Sequence, residues 1–444
     1  MYMKQTYVCI ECGYETSKWM GRCVRCGKWG SLKKVSKSDR KGKDNHINTK
    51  VKIRNIKSIR KIKKDRFKTG FSEFDRVLGG GFVKGEVIII GGKPGVGKTT
   101  LLLQVLNNVI LDKGKCVYVS AEESIDQLSI HAKRLNLSDK LDIICSDDID
   151  SIINVFDKEK QKLVIVDSIQ TIKTNDLKSL PGGIGQVKEC TSRIVNFAKR
   201  TGIAVVIVGH ITKGGELAGP KVVEHLVDAV FYLEGESDGK IRFLKGVKNR
   251  FGSTREIGIF NFTNGGFSDS KNLSEMFILS KKSRIGVCKG VTFEGRRALL
   301  IEVQALIVES TYGVPQRVVN GVSKSKVQML SAVLSKYTKA NFLNKDIYIN
   351  IANGIKTKDS SLDLSVSIAM LSSFLNKKVN SQKVAIGEVS LTGQVKSSGM
   401  IKEKLKALKS LGYDKIVIPN DSFKKLKKTK GIILVDSVSD LVSS

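Results

Sequence analysis

The sequence predicts an α/β protein centred on a mostly parallel, helix-covered sheet. Three observations carry that expectation. An apolar strand enters a glycine-rich turn and leaves it as a helix near residue 95. Further β-branched runs alternate with helical stretches as far as His210. Finally, no apolar run approaches the ~18 residues of a membrane span.

The first strand is Glu86-Val87-Ile88-Ile89-Ile90, a β-branched run of the kind buried inside a sheet. It leads into Gly92-Lys93-Pro94-Gly95-Val96-Gly97-Lys98-Thr99, which fits the phosphate-binding pattern G-x-x-x-x-G-K-[ST]. Thr100 to Leu111 follows with apolar residues at helical spacing. Here the glycines let backbone N–H groups converge on the phosphates of a nucleoside triphosphate, helped by the positive end of the helix. Gly92 to Thr100 is therefore the expected ATP-binding stretch, with Lys98 on the phosphates and Thr99 offering its hydroxyl to Mg²⁺.

The next strand, Lys115-Cys116-Val117-Tyr118-Val119-Ser120, runs into Ala121-Glu122-Glu123-Ser124 and puts a carboxylate at a strand C-terminus. Open α/β sheets handle ligands at that edge, so Glu122 could polarise water for attack on the γ-phosphate. Capping of the following helix is the alternative role, and fits Glu123 better. Lys162-Leu163-Val164-Ile165-Val166-Asp167-Ser168 has the form of a Walker B segment, with Asp167 held toward Mg²⁺. Ala204-Val205-Val206-Ile207-Val208-Gly209-His210 ends in a histidine that could sense the γ-phosphate or be structural. Two polar, glycine-rich segments, 180–188 and 212–220, interrupt the unit where an ATP-dependent contact would sit. Lys248-Asn249-Arg250-Phe251-Gly252 sets two cations on a turn, a spacing suited to a neighbouring subunit's γ-phosphate.

The 444 residues exceed one ordinary core, and two to four domains are expected. Cys9-Ile10-Glu11-Cys12-Gly13 and Cys23-Val24-Arg25-Cys26-Gly27 are paired C-x-x-C-G knuckles that can hold one Zn²⁺ tetrahedrally as a structural ribbon. That ribbon could grip nucleic acid or protein equally well. Cys116, Cys145, Cys190 and Cys288 are scattered, as core residues of a reducing compartment would be. The N-terminus shows no signal-peptide pattern, and the expected location is the cytoplasm. Net charge is +33, from 76 basic against 43 acidic residues, which makes a polyanion the leading partner. Lys33 to Lys68 alone holds sixteen basic and three acidic residues, a linker that could track a phosphate backbone or serve as a plain tether.

Together, the cysteine ribbon, the Gly-Lys-Pro-Gly-Val-Gly-Lys-Thr loop and Lys248-Asn249-Arg250-Phe251-Gly252 resemble the RadA (Sms) family of bacterial DNA-repair proteins. The resemblance runs over nearly the whole chain. It implies a RecA-like ATPase of homologous recombination that forms hexameric rings, works with a RecA-type recombinase, and acts on single-stranded and branched DNA. It implies Lys98 and Thr99 on nucleotide and Mg²⁺, Asp167 as Walker B carboxylate and Glu122 as catalytic glutamate. Lys248 and Arg250 match the fingers that DnaB-type helicases insert into the adjacent subunit. Segments 180–188 and 212–220 fall where RecA-like proteins carry DNA-contacting loops, giving Gln186, Lys188, Lys213 and Lys221 as candidate contacts.

The C-terminal third resembles the substrate domain of Lon proteases through Val389-Ser390-Leu391-Thr392-Gly393-Gln394-Val395 and Gly399-Met400-Ile401-Lys402-Glu403-Lys404-Leu405. The full expected organisation is a zinc ribbon (1–30), a basic linker (31–66), a RecA-like ATPase domain (67–272) and an α+β Lon-protease-like domain (273–444). Ser361 and Lys402 fall near the Lon dyad positions, which leaves an ATP-dependent peptidase as an alternative. Against it, Leu362 and Asp363 replace the small residues expected after the nucleophile, and a carboxylate there would pair with the lysine. A DNA-binding protein that uses ATP only as a switch is a further alternative.

Overall fold

The computed structural model describes residues 6–9, 14–25, 27–35, 66–112, 114–156, 161–210, 222–235, 239–269, 278, 282–310, 313–352, 355–425 and 431–442. The chain divides into two compact units, Met1–Asp269 and Ser270–Ser444.

The first unit begins with three short antiparallel strands, β1 (Thr6–Cys9), β2 (Glu15–Thr16) and β3 (Leu32–Val35), in the order β2-β1-β3. Cys9, Cys23 and Leu32 form its small core. Cys12, Cys26 and residues 36–65 of the expected linker lie outside the described residues.

Helix α1 (Ser72–Leu78) then precedes the central strand β4 (Val87–Gly92). Next come α2 (Lys98–Leu111), β5 (Cys116–Ser120), α3 (Ile125–Arg134), β6 (Asp142–Cys145), β7 (Leu163–Asp167), α4 (Ile184–Thr201) and β8 (Ala204–His210). Strands β9 (Ala229–Glu234), β10 (Ile241–Asn249), β11 (Ile257–Thr263) and β12 (Gly266–Asp269) complete a nine-stranded sheet ordered β12-β11-β10-β9-β4-β8-β7-β5-β6. The stretch from β9 to β6 is parallel, and β10 to β12 extend it antiparallel. Side chains of a strand alternate between faces. Ile88 and Ile90 accordingly enter the core formed with α2, while Val87 and Ile89 enter the core formed with α4. Burial on both faces explains why β4, β7 and β8 read as unbroken apolar runs. The half-exposed edge strand β6 carries no such run and is not legible in the sequence.

In the second unit, β13 (Val287–Glu294), β14 (Arg297–Glu309), β15 (Arg317–Asn320), β16 (Lys345–Ile351), β17 (Lys383–Ala385), β18 (Lys415–Pro419) and β19 (Ile432–Val435) form a sheet ordered β15-β16-β14-β13-β17-β18-β19. Helices α5 (Lys324–Tyr337) and α6 (Asp363–Phe374) pack on one face. Helix α7 (Ile401–Ser410) packs on the other through Ile401, Leu405 and Leu408. Every residue of α6 from Asp363 to Ser372 is buried, which makes it the central helix of the unit. No helix among the described residues is long and apolar enough to cross a membrane.

Candidate active site

The loop after β4 takes the shape that phosphate binding needs. Gly95 and Gly97 have φ of +76° and +104°, a region that side chains disfavour. A Cβ on Gly97 would also lie 2.8 Å from the Phe267 ring, so the position has room for glycine alone. Helix α2 starts at Lys98 with no side-chain cap, which leaves its first N–H groups free for an anion. Lys98 is buried, and its Nζ donates to the carbonyls of Gly92 (2.9 Å) and Lys93 (3.3 Å). Burial holds its pKa below the ordinary lysine value, against the pull of Asp167 and Glu122. The Thr100 hydroxyl accepts from Arg134 at 3.3 Å.

Parallel pairing brings the ends of β4, β8, β7 and β5 to one edge, and seven side chains meet there. The Thr99 hydroxyl donates to Asp167 Oδ2 at 3.1 Å. Tyr118, from the middle of β5, donates to the same oxygen at 2.5 Å. Burial raises the Asp167 pKa although both hydroxyls favour its charge. Glu122 accepts from the Ser168 hydroxyl and lies 3.1 Å from His210 Nε2. The His210 hydrogen bond is the largest cause of a Glu122 pKa below the ordinary carboxylate range, so Glu122 is an anion at neutral pH. The other ring nitrogen, His210 Nδ1, is 3.5 Å from Lys98 Nζ. A lysine can only donate, so this pattern assigns the proton to Nε2 and makes His210 a bridge from Lys98 to Glu122.

Glu123 does not cap α3, contrary to the sequence expectation. Ser124 is the cap and forms a reciprocal pair with Gln127. Glu123 instead sits 3.5 Å from His131.

Lys248 and Arg250 lie at the opposite end of the sheet. Val230 pairs with Lys248 on one side and Ile89 on the other, and the loop begins three residues further along β4, roughly 10 Å away at strand spacing. Arg250 is 3.4 Å from Asp228, which Lys199 also meets at 2.5 Å. Lys248 donates to the carbonyls of Glu224 (2.7 Å) and Val227 (2.8 Å) at the end of the short helix Val222–Leu226. Burial, then the charge of Arg250, lowers its pKa. Two residues that sequence reasoning passed over hold the turn in place. Asn249 donates to Val77 O at 3.0 Å, and Arg66 donates to Phe251 O at 2.7 Å.

Gln186 is not available to DNA. It is buried, and its amide bonds Thr174 N and the carbonyls of Thr174, Leu177 and Ser179, so it organises residues 174–179 from within. Lys188 is exposed on α4, whereas Lys213 and Lys221 lie outside the described residues.

Family models match three parts of the chain: a rubredoxin metal binding domain at 7–34, an AAA domain at 57–216, and subunit ChlI of Mg-chelatase at 307–422. DNA repair protein RadA of Bacillus subtilis is 39% identical over 97% of this chain and 96% of its own. The RadA of Halalkalibacterium halodurans is 38% identical over 98% and 97%, and that of Pseudomonas aeruginosa 38% over 94% and 93%. The chain belongs to the RadA family. A KaiC-like protein of Pyrococcus horikoshii superimposes with a TM-score of 0.39 at 19% identity, covering 46% of this chain and 97% of its own; that likeness adds nothing to the assignment.

RadA membership fixes the architecture as a zinc ribbon, a RecA-like P-loop ATPase domain and a Lon-like domain, and makes ATP with Mg²⁺ the ligands of the loop site. In the Lon-like unit the structure corrects the expected dyad. Lys402 is on the exposed face of α7, and the lysine that reaches Ser361 is Lys404, two residues on and so about 200° round the helix on its buried face. Lys404 Nζ lies 2.6 Å from Ser361 Oγ and 2.8 Å from Asp359 Oδ2, with both Ser361 and Lys404 buried. The paired carboxylate is Asp359, since Asp363 turns to Lys326 at 3.0 Å. Burial pushes Asp359 up, but the Lys404 contact and the Ser361 N–H outweigh it and its pKa falls. Ser361 Oγ also donates to Val291 O at 3.0 Å. An ion-paired lysine and a serine whose proton is already engaged form a structural cluster with no free base.

Proposed function

We propose that this chain is a DNA-dependent ATPase that works as a ring on single-stranded and branched DNA, in concert with a RecA-type recombinase. The observation that carries the reading is the placement of Lys248 and Arg250 at the amino end of the sheet, beyond the reach of their own loop. A site that needs both halves is then completed by another copy. Lys98 and the N–H groups of α2 bind the phosphates, and Glu122, ionised and oriented by His210 and Ser168, accepts the proton of the attacking water. Lys248 and Arg250 of the adjacent copy stabilise charge on the γ-phosphate. Thr99 and Asp167 present hard oxygens to one point and suit Mg²⁺, which shields phosphate charge when bound. His210 contacts both Lys98 and Glu122, so a γ-phosphate drawing on Lys98 is felt at Glu122.

Lys188, the segment 212–220 and the basic stretch 36–65 supply the contacts to DNA, with hexameric rings as the assembly. The buried side chains of Cys9 and Cys23, with Cys12 and Cys26, hold Zn²⁺. Peptidase action is not favoured, because the Ser361 cluster is closed and its lysine is paired.

Subunit mixing tests the reading. Lys98→Ala lacks the loop half and Lys248→Ala/Arg250→Ala lacks the other, so each is expected to be inactive alone. Mixed rings regain DNA-stimulated ATP turnover at interfaces that join two intact halves. Co-assembled mixtures that stay inactive would overturn the shared site. Forked DNA with tails of either polarity then reads strand separation.

A further inference from the structure

The chain has two tryptophans, and both stand exposed on the cysteine ribbon, Trp19 at 63% and Trp29 at 77%. Indole rings normally dominate cores and interfaces, so two on one small ribbon point to an absent partner. Local pairing holds Trp29 in place. Gly30 N donates to Gly21 O at 2.7 Å, and Arg22 pairs antiparallel with Trp29. A Cβ on Gly21 would lie only 3.5 Å from the indole, so the ring rests across the glycine. Arg22 is pinned by its bond to Gly27 O at 2.7 Å, and its guanidinium lies 6.0 Å from the Trp29 ring centre. From Thr16 to Lys34 there are six lysines and arginines, all exposed, and no acidic residue.

We propose that the ribbon is a stacking platform for single-stranded nucleic acid, with bases laid on Trp19 and Trp29 and the strand's phosphates met by the surrounding cations. Flat rings in a net positive field, six Lys/Arg against Glu11 and Glu15 over residues 11–34, suit a ligand that alternates π-faces with negative charge. The excess of cations around the two rings favours a polyanion over an apolar protein surface. The proposal rests on the reading that this chain works on single strands, and adds a second contact remote in sequence from the ATPase loops.

The experiment uses tryptophan fluorescence excited at the red edge, where the nine tyrosines do not absorb, so that the signal comes from the two ribbon tryptophans. The full-length, zinc-loaded protein is titrated with an oligothymidylate of about 15 nucleotides, near the upper site size of small single-strand modules. An abasic strand of equal length and a duplex serve as controls. The thymidine strand is expected to quench emission strongly and the abasic strand hardly at all. Trp29→Ala and Trp19→Ala should each weaken binding about tenfold by anisotropy of the labelled strand, with Trp→Phe retaining most of it. Equal quenching by the abasic strand overturns the proposal in favour of charge alone, and quenching seen only with a protein partner overturns it in favour of a protein site. Unmoved emission alongside DNA-stimulated ATP turnover defeats the platform and leaves the motor intact. Quenching without such turnover supports the platform and defeats the motor.

Discussion

His210 Nε2 lies 3.1 Å from Glu122 Oε1, and this contact favours the charged form of the carboxylate proposed above as the base. The bond is the largest cause of the lowered Glu122 pKa, so removing it moves that pKa up. His210→Ala is therefore expected to shift the acid limb of the ATP-turnover profile to higher pH, because the base must be ionised to act. Glu122→Gln should lose on the order of 10²-fold or more in turnover while still binding nucleotide. A pH profile of kcat with a fluorescent-nucleotide titration checks both, and an unshifted acid limb in His210→Ala removes the histidine from the reaction.

Tyr118 contributes at one remove. Its hydroxyl is buried and ends on Asp167 Oδ2, the oxygen that Thr99 also uses. Tyr118→Phe deletes a hydrogen bond to a charged group, worth about 1.5–3 kcal/mol. The expected outcome is a lower melting temperature and a higher Mg²⁺ requirement for ATP turnover, with little change in turnover at saturating Mg²⁺. A purely structural role would lower the melting temperature and leave the Mg²⁺ requirement alone.

These contacts mark how far the sequence could be read. Strand, loop and helix from Val87 to Leu111 are legible because phosphate binding demands glycine at positive φ and a lysine at the helix start. The nine-stranded sheet is legible where strands are buried on both faces and therefore apolar throughout. Tyr118 is not, since within Val117-Tyr118-Val119 it looks like one more core residue, and only the pairing of β5 with β7 brings it to Asp167. Gln186 misleads for the opposite reason, because polarity in a glycine-rich segment suggests solvent although its amide is spent on buried backbone. Lys404 could have been found. Ile401, Lys404, Leu405 and Leu408 follow helical spacing on the buried face, and Lys402 falls off it.

The Lys404 cluster yields a stability test. Lys404→Met leaves Asp359 half-buried without its partner, and breaking a buried pair this way costs roughly 3–5 kcal/mol. Asp359→Asn in the same chain should recover part of the loss, since no uncompensated charge remains. The Asp359 pKa is depressed, so its contribution is present above the unfolded carboxylate pKa and lost as pH falls through the folded one. Thermal unfolding across the acid range reads this. Ser361→Ala should leave ATP turnover unchanged and abolish no peptide cleavage, and a serine-dependent peptidase activity would overturn the structural reading.

Glu86 behaves in the opposite sense. It is fully buried just before β4, where Val83 N–H meets one oxygen at 2.9 Å and the other has no hydrogen-bond partner among the described residues. Burial raises its pKa from 4.5 to about 7, with the backbone bond and Arg66 only partly resisting. A raised carboxylate pKa means that the folded state holds the proton more tightly, so stability is greatest below pH 4.5 on this account and declines as pH rises through about 7. Above that pH the chain carries a buried anion, and a neutral isostere removes it. Glu86→Gln, which keeps an acceptor for Val83, is expected to raise the melting temperature at pH 8 by more than at pH 5, on the order of 1–3 kcal/mol of added stability at the higher pH. Equal melting shifts at the two pH values would show that Glu86 titrates like a solvated carboxylate despite its place in the core.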